Sequence, residues 1–409
     1  MSTFPALWQS LLPIGRDPAT GGYRRFCWSP AELDCRAWFE TTAAERNLRP
    51  VTDRNGNLWA WWEPPEPQRA RPAAIAVGSH LDSVPDGGAF DGPLGVVSAF
   101  AAVDELRATG FVPARPIAVA AFAEEEGGRF GVACLGSRLL TGAIDPEQAR
   151  GLTDGDGTTF GAAMQAAGHD PGGLGQDEEL IGRLGTYVEL HIEQGRALAD
   201  LDAVIGVADQ IWPHGRWRLD FTGQADHAGT AALAGRHDPM IPYAATVLAA
   251  RQAAIEHGTL ATVGRVVARP GAANAVCSSV SAWLDARAPD GAGLEETTDQ
   301  ILAAAGQEAA AHQVGLAYRP ESFTPAVDFD ADLRDRLVSS LLAAGIGAPV
   351  LDTGAGHDAG ILAARLPTGM LFVRNPTGVS HSPAEHADDA DCATGVAALA
   401  AVLRDLAGP

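Results

Sequence analysis

The amino-acid sequence predicts an α/β fold into which a smaller α+β domain is inserted. Three observations support this prediction. Short apolar runs alternate with long Ala/Leu-rich segments, polar residues directly follow several of these runs, and the middle of the chain alternates polar and apolar residues instead. The first pattern is typical of a central, mostly parallel mixed sheet flanked by helices. Alternation with a period of two is typical of half-exposed antiparallel strands.

The larger domain is expected to contain four buried strands and two long helices. The predicted strands are Ala73–Gly78, Pro116–Ala123, Gly185–Ile192 and Gly369–Val373, and the predicted helices are Leu94–Thr109 and Ala393–Leu406. Open α/β sheets bind ligands beyond the carboxyl ends of their strands. We therefore expect the functional site to lie at the ends of these four strands.

The inserted domain is placed at residues 213–328, which leaves 1–212 and 329–409 for the larger domain. It is expected to follow the order strand, helix, strand, strand, helix. Its recognisable elements are the strands Arg216–Phe221 and Ser279–Leu284 and the helices Pro242–His257 and Leu294–His312. The Gly-rich segment 153–175 is expected to be a loop with a short helix.

Composition excludes several classes of partner. The 409 residues include 29 basic and 51 acidic side chains, for a net charge of −22. Nucleic acid requires a basic face, and anionic membranes repel such a chain, so neither is an expected partner. No apolar run approaches the roughly 18 residues of a membrane span. The five cysteines form no C-x-x-C pair, which predicts reduced thiols in a cytoplasmic protein without a secretory signal.

Four polar motifs around the predicted strand ends carry histidine and carboxylate side chains. They are GSHLDS with FDGP, EEEGGRF, YVELHIEQG and VSHSPAEH. In the third motif, strand alternation would place Glu189, His191 and Glu193 on one face. Each motif by itself is also typical of a solvated loop. Together, imidazole and carboxylate ligands without thiolate predict a paired site for zinc, manganese, cobalt or nickel, which needs about five protein ligands.

The chain resembles a known family. From about residue 20 to 405 it is similar to the dinuclear-metal peptidase/amidohydrolase superfamily, in its hydantoinase/carbamoylase branch. That branch includes allantoate amidohydrolases, N-carbamoyl-L-amino acid hydrolases and β-ureidopropionases. The resemblance rests on motifs in the same order: GSHLDS, GGAFDGPLGV, EEEGGRFG, YVELHIEQG, GQADHAGT, RPGAANAV, LDAR, GAGHDA and SHSPAEH. HIEQG and GAGHDA favour this branch in particular.

The resemblance implies a set of site residues. It implies two divalent metal ions per subunit, with Asp91 bridging them, and the full set of matched ligands is His80, Asp91, Glu126, His191 and His381. The implied catalytic residues are Glu125 as general base, Asp82 as the partner of His80, and His227, which contacts the reacting carbonyl. In this family that histidine often comes from the opposite subunit.

The resemblance also implies a substrate site and a role for the inserted domain. The implied substrate residues are Gln194, His227, Asn274, Arg287 and His357, with the arginine binding a carboxylate. The inserted domain is expected to act as a lid and to form a homodimer. Two departures from the family pattern, Ala231-Ala232 and Cys277-Ser278, fall in this domain and bear on substrate preference.

The predicted function is hydrolysis of the ureido C–N bond of a small anionic substrate, with release of ammonia and carbon dioxide. Allantoate is the favoured substrate, and an N-carbamoyl-L-amino acid or N-carbamoyl-β-alanine is the first alternative. A more distant alternative is a metallopeptidase that cleaves small peptides, against which His191 speaks. A non-catalytic metal-binding protein would require the loss of the base, and Glu125 is present.

Overall fold

A computed structural model describes residues 3–64 and 73–408. The chain folds into two compact units. The first unit comprises Met1–Asp209 and Asp328–Pro409, and the second comprises Gln210–Val327. The boundaries of the second unit differ by one to three residues from those of the predicted insertion at 213–328.

The strands are β1 (Arg49–Thr52), β2 (Leu58–Trp62), β3 (Ala74–His80), β4 (Ile117–Phe122), β5 (Leu184–Ile192), β6 (Ile205–Ile211), β7 (His214–Thr222), β8 (Asp226–His227), β9 (Leu260–Arg269), β10 (Ala275–Val276), β11 (Ser279–Arg287), β12 (Gly315–Thr324), β13 (Val327–Asp328), β14 (Val350–Thr353) and β15 (Thr368–Val373). The α-helices are α1 (Phe4–Leu11), α2 (Pro30–Glu45), α3 (Pro93–Ala108), α4 (Leu135–Thr141), α5 (Pro146–Gly151), α6 (Phe160–Ala166), α7 (Glu178–Arg183), α8 (Ala197–Asp200), α9 (Met240–His257), α10 (Gly291–Ala311), α11 (Ala331–Ala343), α12 (Asp358–Leu362) and α13 (Asp389–Ala407).

The first unit is organised around a nine-stranded mixed sheet. Its strand order is β1-β2-β4-β3-β5-β15-β6-β13, and β14 pairs with β6. The central neighbours β4, β3, β5 and β15 run parallel, whereas β2 pairs antiparallel with β4. Strands β3 and β4 are buried along their whole length because they lie in the middle of the sheet. The parallel order places four carboxyl ends side by side.

Helices α3 and α13 pack on this sheet within its largest apolar core. Helix α3 begins at Pro93, whose fixed φ suits the first turn of a helix, after Gly92 at φ +82°. A Cβ at Gly92 would lie 2.4 Å from the ring of His80, so only glycine permits this close approach. The start of α3 is therefore held directly against the end of β3.

The second unit contains a four-stranded antiparallel sheet in the order β12-β7-β11-β9. Strand β11 alternates half-exposed and buried residues along its length, as the sequence pattern predicts. Its buried side chains, such as Leu284, form a core with residues of α9 and α10, including Ala250 and Ile301. The predicted fold class, a mostly parallel mixed sheet with a separate antiparallel sheet, is confirmed.

Several elements were not anticipated. The hairpin of β1 and β2 and the helices α1 and α2 were absent from the prediction, as was β12, which adds a strand after the last predicted helix of the insertion. The segment 153–175 contains α6 and a 3₁₀ turn at Pro171–Gly173. Among the residues described, no helix combines the length and the apolar character needed to cross a bilayer.

Candidate metal centre

The histidines and acids of the motifs lie at the carboxyl ends of the four parallel strands. His80 is the last residue of β3, Glu125 and Glu126 follow β4, and His191 is the penultimate residue of β5. Asp91 precedes α3, and its side chain is 5% exposed. Because parallel neighbours end at the same edge, residues far apart in the sequence meet there.

Backbone carbonyls orient two of the histidine rings. Nδ1 of His191 lies 2.8 Å from the carbonyl oxygen of Ile192, and Nδ1 of His80 lies 3.2 Å from that of Asp82. In each ring Nδ1–H donates to the carbonyl, which leaves the lone pair of Nε2 free. Both Nε2 atoms face Asp91 Oδ1, at 3.2 Å from His191 and 3.6 Å from His80. This orientation suits two histidines that ligate one ion.

Within the described part of the chain, the potential ligands form three groups, two of which share the carboxylate of Asp91, while the third consists of Glu189, His191 and His357. We call His80, Asp91 and His191 the inner ligand group, and Asp91, Glu126 and His381 the outer ligand group. In the outer group, His381 Nε2 lies 3.3 Å from Asp91 Oδ2 and 3.5 Å from Glu126 Oε2. Asp91 therefore presents one oxygen to each group, which is the arrangement of a bridging carboxylate.

The spacing of these atoms fits a metal ion in each group. Two ligands about 2.1 Å from a tetrahedral ion are about 3.4 Å apart, which is close to the separations within both groups. Nε2 of His191 and Oε1 of Glu126 are buried and have no hydrogen-bond partner in the described structure. Buried polar atoms without partners are costly unless a further ligand satisfies them. The residues present thus fit two divalent cations.

The shifted pKa values of the clustered carboxyl groups also favour the binding of a cation. Burial raises the pKa values of Glu125 and Glu126 well above their usual range, and neighbouring carboxylates add to the effect. Burial acts to raise the pKa of Asp91 as well, but the adjacent imidazoles of His191 and His80 hold it well below its usual range. Closely spaced buried acids repel one another, and a divalent ion removes that repulsion.

Glu125 lies beside the inner ligand group without being part of it. Its Oε2 is 3.5 Å from His80 Nε2, while its Oε1 accepts a hydrogen bond from the Cys134 thiol at 3.3 Å. The two oxygens therefore make different contacts. Oε1 is held by the Cys134 thiol, and Oε2 faces the ligand His80. A carboxylate in this position can accept a proton from a water molecule at the site.

Asp82 does more than the predicted pairing with His80. Its Oδ1 is 3.5 Å from His80 Nδ1, farther than its own backbone oxygen. Its two carboxylate oxygens accept the backbone N–H groups of Glu125 and Glu126 at 3.2 and 3.1 Å. Asp82 thus fixes the turn after β4 that carries both glutamates.

Two predicted substrate residues lie within the first unit beside the ligands. Gln194 Nε2 donates to Asp91 Oδ2 at 2.9 Å and lies 3.4 Å from His381 Nε2. His357 is buried, with its ring centroid 4.5 Å from that of His191. Burial, together with the neighbouring His191, lowers the pKa of His357 well below its usual range, so it is neutral.

The other predicted substrate residues lie in the second unit. His227 and Asn274 belong to adjacent segments, since Ala228 N donates to Asn274 O at 3.0 Å. Nδ1 of His227 accepts the Gly229 N–H at 3.0 Å, so the ring proton is on Nε2. Arg287 ends β11, and its Nε donates to Asp285 Oδ1 at 2.8 Å. Both His227 and Asn274 are exposed in this chain.

Of the three residues expected on one face of β5, only two lie near one another. Glu189 and His191 have ligand atoms close together, but both oxygens of Glu189 are already bonded, to the Ser79 hydroxyl and the Ala359 N–H. Glu193 lies beyond the end of β5 and accepts the N–H groups of Ala197 and Leu198 at the start of α8. Because β5 ends at Ile192, the alternation of a strand does not extend to Glu193, and its side chain caps α8 instead.

Sequence reasoning assigned no role to three residues that contact the site. Glu385 and Ser380 lie in the SHSPAEH motif and bond to the segment around Asp91, so their proximity to His381 was an available signal. Cys134 lies nine residues after Glu125 in an irregular turn. No sequence pattern connects a lone cysteine with a glutamate at that spacing.

Comparisons with known proteins agree with this geometry. The family model of peptidase family M20/M25/M40 matches residues 76–405. N-carbamoyl-L-amino acid amidohydrolase of Geobacillus stearothermophilus is 35% identical, with 96% of each chain covered. Allantoate amidohydrolase of Escherichia coli K12 is 32% identical over 97% of this chain and 96% of that protein.

The fold agrees as well. The crystal structure of an amidase of the hydantoinase/carbamoylase family from Burkholderia vietnamiensis superposes with a TM-score of 0.89 at 28% identity, covering 100% of this chain and 98% of that one. The chain belongs to peptidase family M20/M25/M40, within its hydantoinase/carbamoylase branch of metal-dependent amidohydrolases.

Proposed function

We propose that this amidohydrolase cleaves the ureido C–N bond of allantoate and releases ammonia and carbon dioxide. The observation that carries the proposal is the pair of ligand groups that share Asp91, with Glu125 beside them. We propose two divalent ions per subunit, one in each group, chosen from zinc, manganese, cobalt and nickel. Such ions would lower the pKa of water and polarise the substrate carbonyl.

Glu125 supplies the proton transfers in this proposal. Its Oε2 accepts a proton from the water that attacks the ureido carbon, and then donates that proton to the departing nitrogen. The Cys134 thiol on Oε1 and the Asp82 bond to the Glu125 N–H keep the carboxylate in place between these two steps. One residue can therefore act first as base and then as acid.

His227 is proposed to stabilise the negative charge that develops on the carbonyl oxygen. The Gly229 N–H fixes the tautomer in which Nε2 carries the proton, so the ring is a donor without needing to be charged. A preorganised donor aimed at a developing oxyanion is among the largest contributions to catalysis. In the other tautomer Nδ1 would carry the proton and could not accept the Gly229 N–H.

Substrate recognition is proposed to require an anion. Arg287 bonds Asp285 through Nε and Nη2, and a guanidinium is the group whose planar donors match a carboxylate. Asn274, Gln194 and His357 are proposed to contact the polar ureido group. Neutral His357 can accept or donate a hydrogen bond, since its buried Nε2 has no protein partner among the described residues.

An N-carbamoyl-L-amino acid is the second candidate substrate. It is favoured by the 35% identity to the Geobacillus stearothermophilus enzyme, compared with 32% to the allantoate amidohydrolase. N-carbamoyl-β-alanine has the same ureido and carboxylate groups. Cleavage of small peptides is the more distant alternative, and it would release an amino acid and no ammonia.

A substrate panel tests the proposal. Metal-free protein is loaded separately with each of the four metals and incubated with allantoate, N-carbamoyl-L-amino acids, N-carbamoyl-β-alanine and dipeptides. We expect ammonia release to be fastest with allantoate, and at least about 100-fold slower with a carbamoylated amine that lacks the carboxylate. Faster turnover of an N-carbamoyl-L-amino acid would replace the substrate assignment, and dipeptide cleavage without ammonia would overturn the reaction class.

A homodimer through the inserted unit is proposed on the basis of its exposed apolar surface. Ile241, Leu248 and Ile255 are 46%, 70% and 64% exposed, and their spacing of seven places them on one stripe of α9. Strand β9 is an edge of the four-stranded sheet and exposes Val266 and Val267. An apolar stripe beside an open edge is a surface that a second copy can cover.

Leu248→Glu tests the proposed dimer. A charge at this exposed position would have to be buried without a partner in the dimer, whereas it is tolerated on a monomer. We expect the variant to have the mass of a single chain by light scattering, while the wild type has twice that mass. Leu201→Glu, at a 56% exposed leucine of the first unit, is the matched control and should remain dimeric.

A cytoplasmic location is proposed from the cysteines. All five are buried free thiols, which is expected where disulfides do not form. Detection of the native protein in the soluble cytoplasmic fraction of its source cells would support this location.

A further inference from the structure

A single buried carboxylate connects the loop that carries Asp91 with the loop that carries His381. Glu385 Oε1 accepts the backbone N–H groups of both Phe90 and Asp91 at 2.9 Å. Its Oε2 accepts the Ser380 hydroxyl at 3.1 Å. Ser380 directly precedes His381, and Glu385 lies four residues after His381 in the same loop, so one side chain braces this loop internally and bonds it to the Asp91 segment.

The surroundings of Glu385 are built for this contact. The residue is only 5% exposed. A Cβ at Gly88 would lie 2.3 Å from Glu385 Oε1 and 2.6 Å from its Cβ, so a side chain at position 88 would displace the carboxylate. Burial of a carboxylate is costly, and three hydrogen bonds from the protein offset that cost here.

The loop of His381 needs such support. His381 is 51% exposed and has φ +54°, a backbone conformation that residues other than glycine seldom adopt. Asn375 organises the beginning of the loop, where its Oδ1 accepts the N–H groups of Thr377 and Gly378. After Gly378, the Ser380 hydroxyl bonds to Glu385 Oε2 at 3.1 Å and to Asp91 Oδ2 at 3.4 Å, so Ser380 and Glu385 together tie the loop to the Asp91 segment.

We propose that Glu385 is a positioning residue that assembles the outer ligand group. It holds the Asp91 backbone and, through Ser380, the His381 backbone at the separation that one ion requires. The inner ligand group does not depend on it to the same extent, because His80 and His191 lie on strands β3 and β5. This inference rests on the proposed two-ion site and predicts that the two ions differ in their dependence on Glu385.

Glu385→Gln tests the proposal with little change in shape. The NH₂ group of glutamine cannot accept a hydrogen bond, so either the pair of backbone N–H groups or the Ser380 hydroxyl loses its acceptor. We expect titration of the metal-free protein with manganese, followed by elemental analysis, to show two ions per wild-type chain. The variant should bind one ion within a few-fold of wild-type affinity and the other at least about 10-fold more weakly.

Activity provides a second readout. Excess manganese should restore most of the kcat of Glu385→Gln while KM for the substrate stays unchanged, which a general loss of folding would not produce. Ser380→Ala removes the bond to Glu385 Oε2 and the longer bond to Asp91 Oδ2 but leaves both backbone bonds of Glu385 in place, so it should weaken the same ion by a smaller factor. Because this change is small and partly exposed, it keeps the proposal testable if Glu385→Gln does not fold.

Glu193→Gln is the matched control. Glu193 is another buried glutamate that accepts two backbone N–H groups, those of Ala197 and Leu198. It should lose stability and still bind two ions at wild-type affinity. A wild-type chain that binds only one ion would overturn the two-ion site itself. A wild type with two ions, together with unchanged affinities in Glu385→Gln and Ser380→Ala, would overturn the role of Glu385 alone.

Discussion

Replacement of Glu125 by glutamine is expected to lower kcat about a thousandfold while the protein still binds its metal ions. Glutamine has nearly the same shape, but it cannot accept a proton from water or return one to the leaving nitrogen. Glu125 belongs to neither ligand group, so metal binding should persist. The measurements are ammonia release under saturating substrate and the number of ions per chain by elemental analysis.

Glu124→Gln is the control for this experiment. Glu124 is the adjacent glutamate and is equally buried, but its Oε1 accepts the N–H groups of Arg129 and Phe130 and holds the turn. Burial, with the charge of Asp82, raises the pKa of Glu124 to about 8, so at neutral pH it is mostly protonated and glutamine imitates it. This variant should retain activity within a few-fold. Normal turnover by Glu125→Gln would exclude Glu125 as the base.

Replacement of Asp91 by asparagine is expected to have the larger effect on metal binding. Asp91 presents Oδ1 to the inner ligand group and Oδ2 to the outer one. An asparagine keeps one oxygen and replaces the other with an NH₂ group that cannot ligate a cation. It also removes a negative charge from between two positive ions. We expect fewer than one ion per chain after desalting and a loss of activity of about 10⁴-fold.

Asp53→Asn is the control for the general effect of removing a buried carboxylate. Asp53 accepts the N–H groups of Asn55 and Asn57 and the indole N–H of Trp59 in the hairpin of β1 and β2. Its replacement should lower the melting temperature without changing the number of bound ions. If Asp91→Asn retained two ions at wild-type affinity, the shared carboxylate would not be a ligand of both groups.

The strands that carry the site could be predicted because their signal is local. The predicted runs Pro116–Ala123 and Gly185–Ile192 correspond to β4 and β5 within one residue at each end. A continuous apolar run followed by polar residues is a strong signal for a buried parallel strand that ends at a site. Edge elements such as β1 and β12 carry no such signal, since half of their residues or more are exposed.

The contacts made by the site residues were less predictable. The sequence pairs His80 with the Asp82 carboxylate two residues away, whereas the structure has the backbone oxygen nearer and turns the carboxylate toward the loop after β4. Glu385 and Phe90 are 295 residues apart and share a hydrogen bond. Patterns of period two or 3.6 contain no information on pairs at such separations.

The amino-acid sequence is sufficient to identify the chemistry available to this protein. Histidines and carboxylates, rather than thiolates, follow the predicted strands. Glu125, which is not a predicted ligand, is adjacent to the predicted ligand Glu126. The motifs also match those of one enzyme family in the same order. The tertiary structure decided which atoms meet. The order β4-β3-β5-β15 aligns four strand ends, and this alignment gives Asp91 one oxygen for each ligand group and brings Glu385 beside it. The physical reason is that ligand identity is encoded residue by residue, whereas a shared carboxylate depends on distances between segments that only the packed sheet brings together.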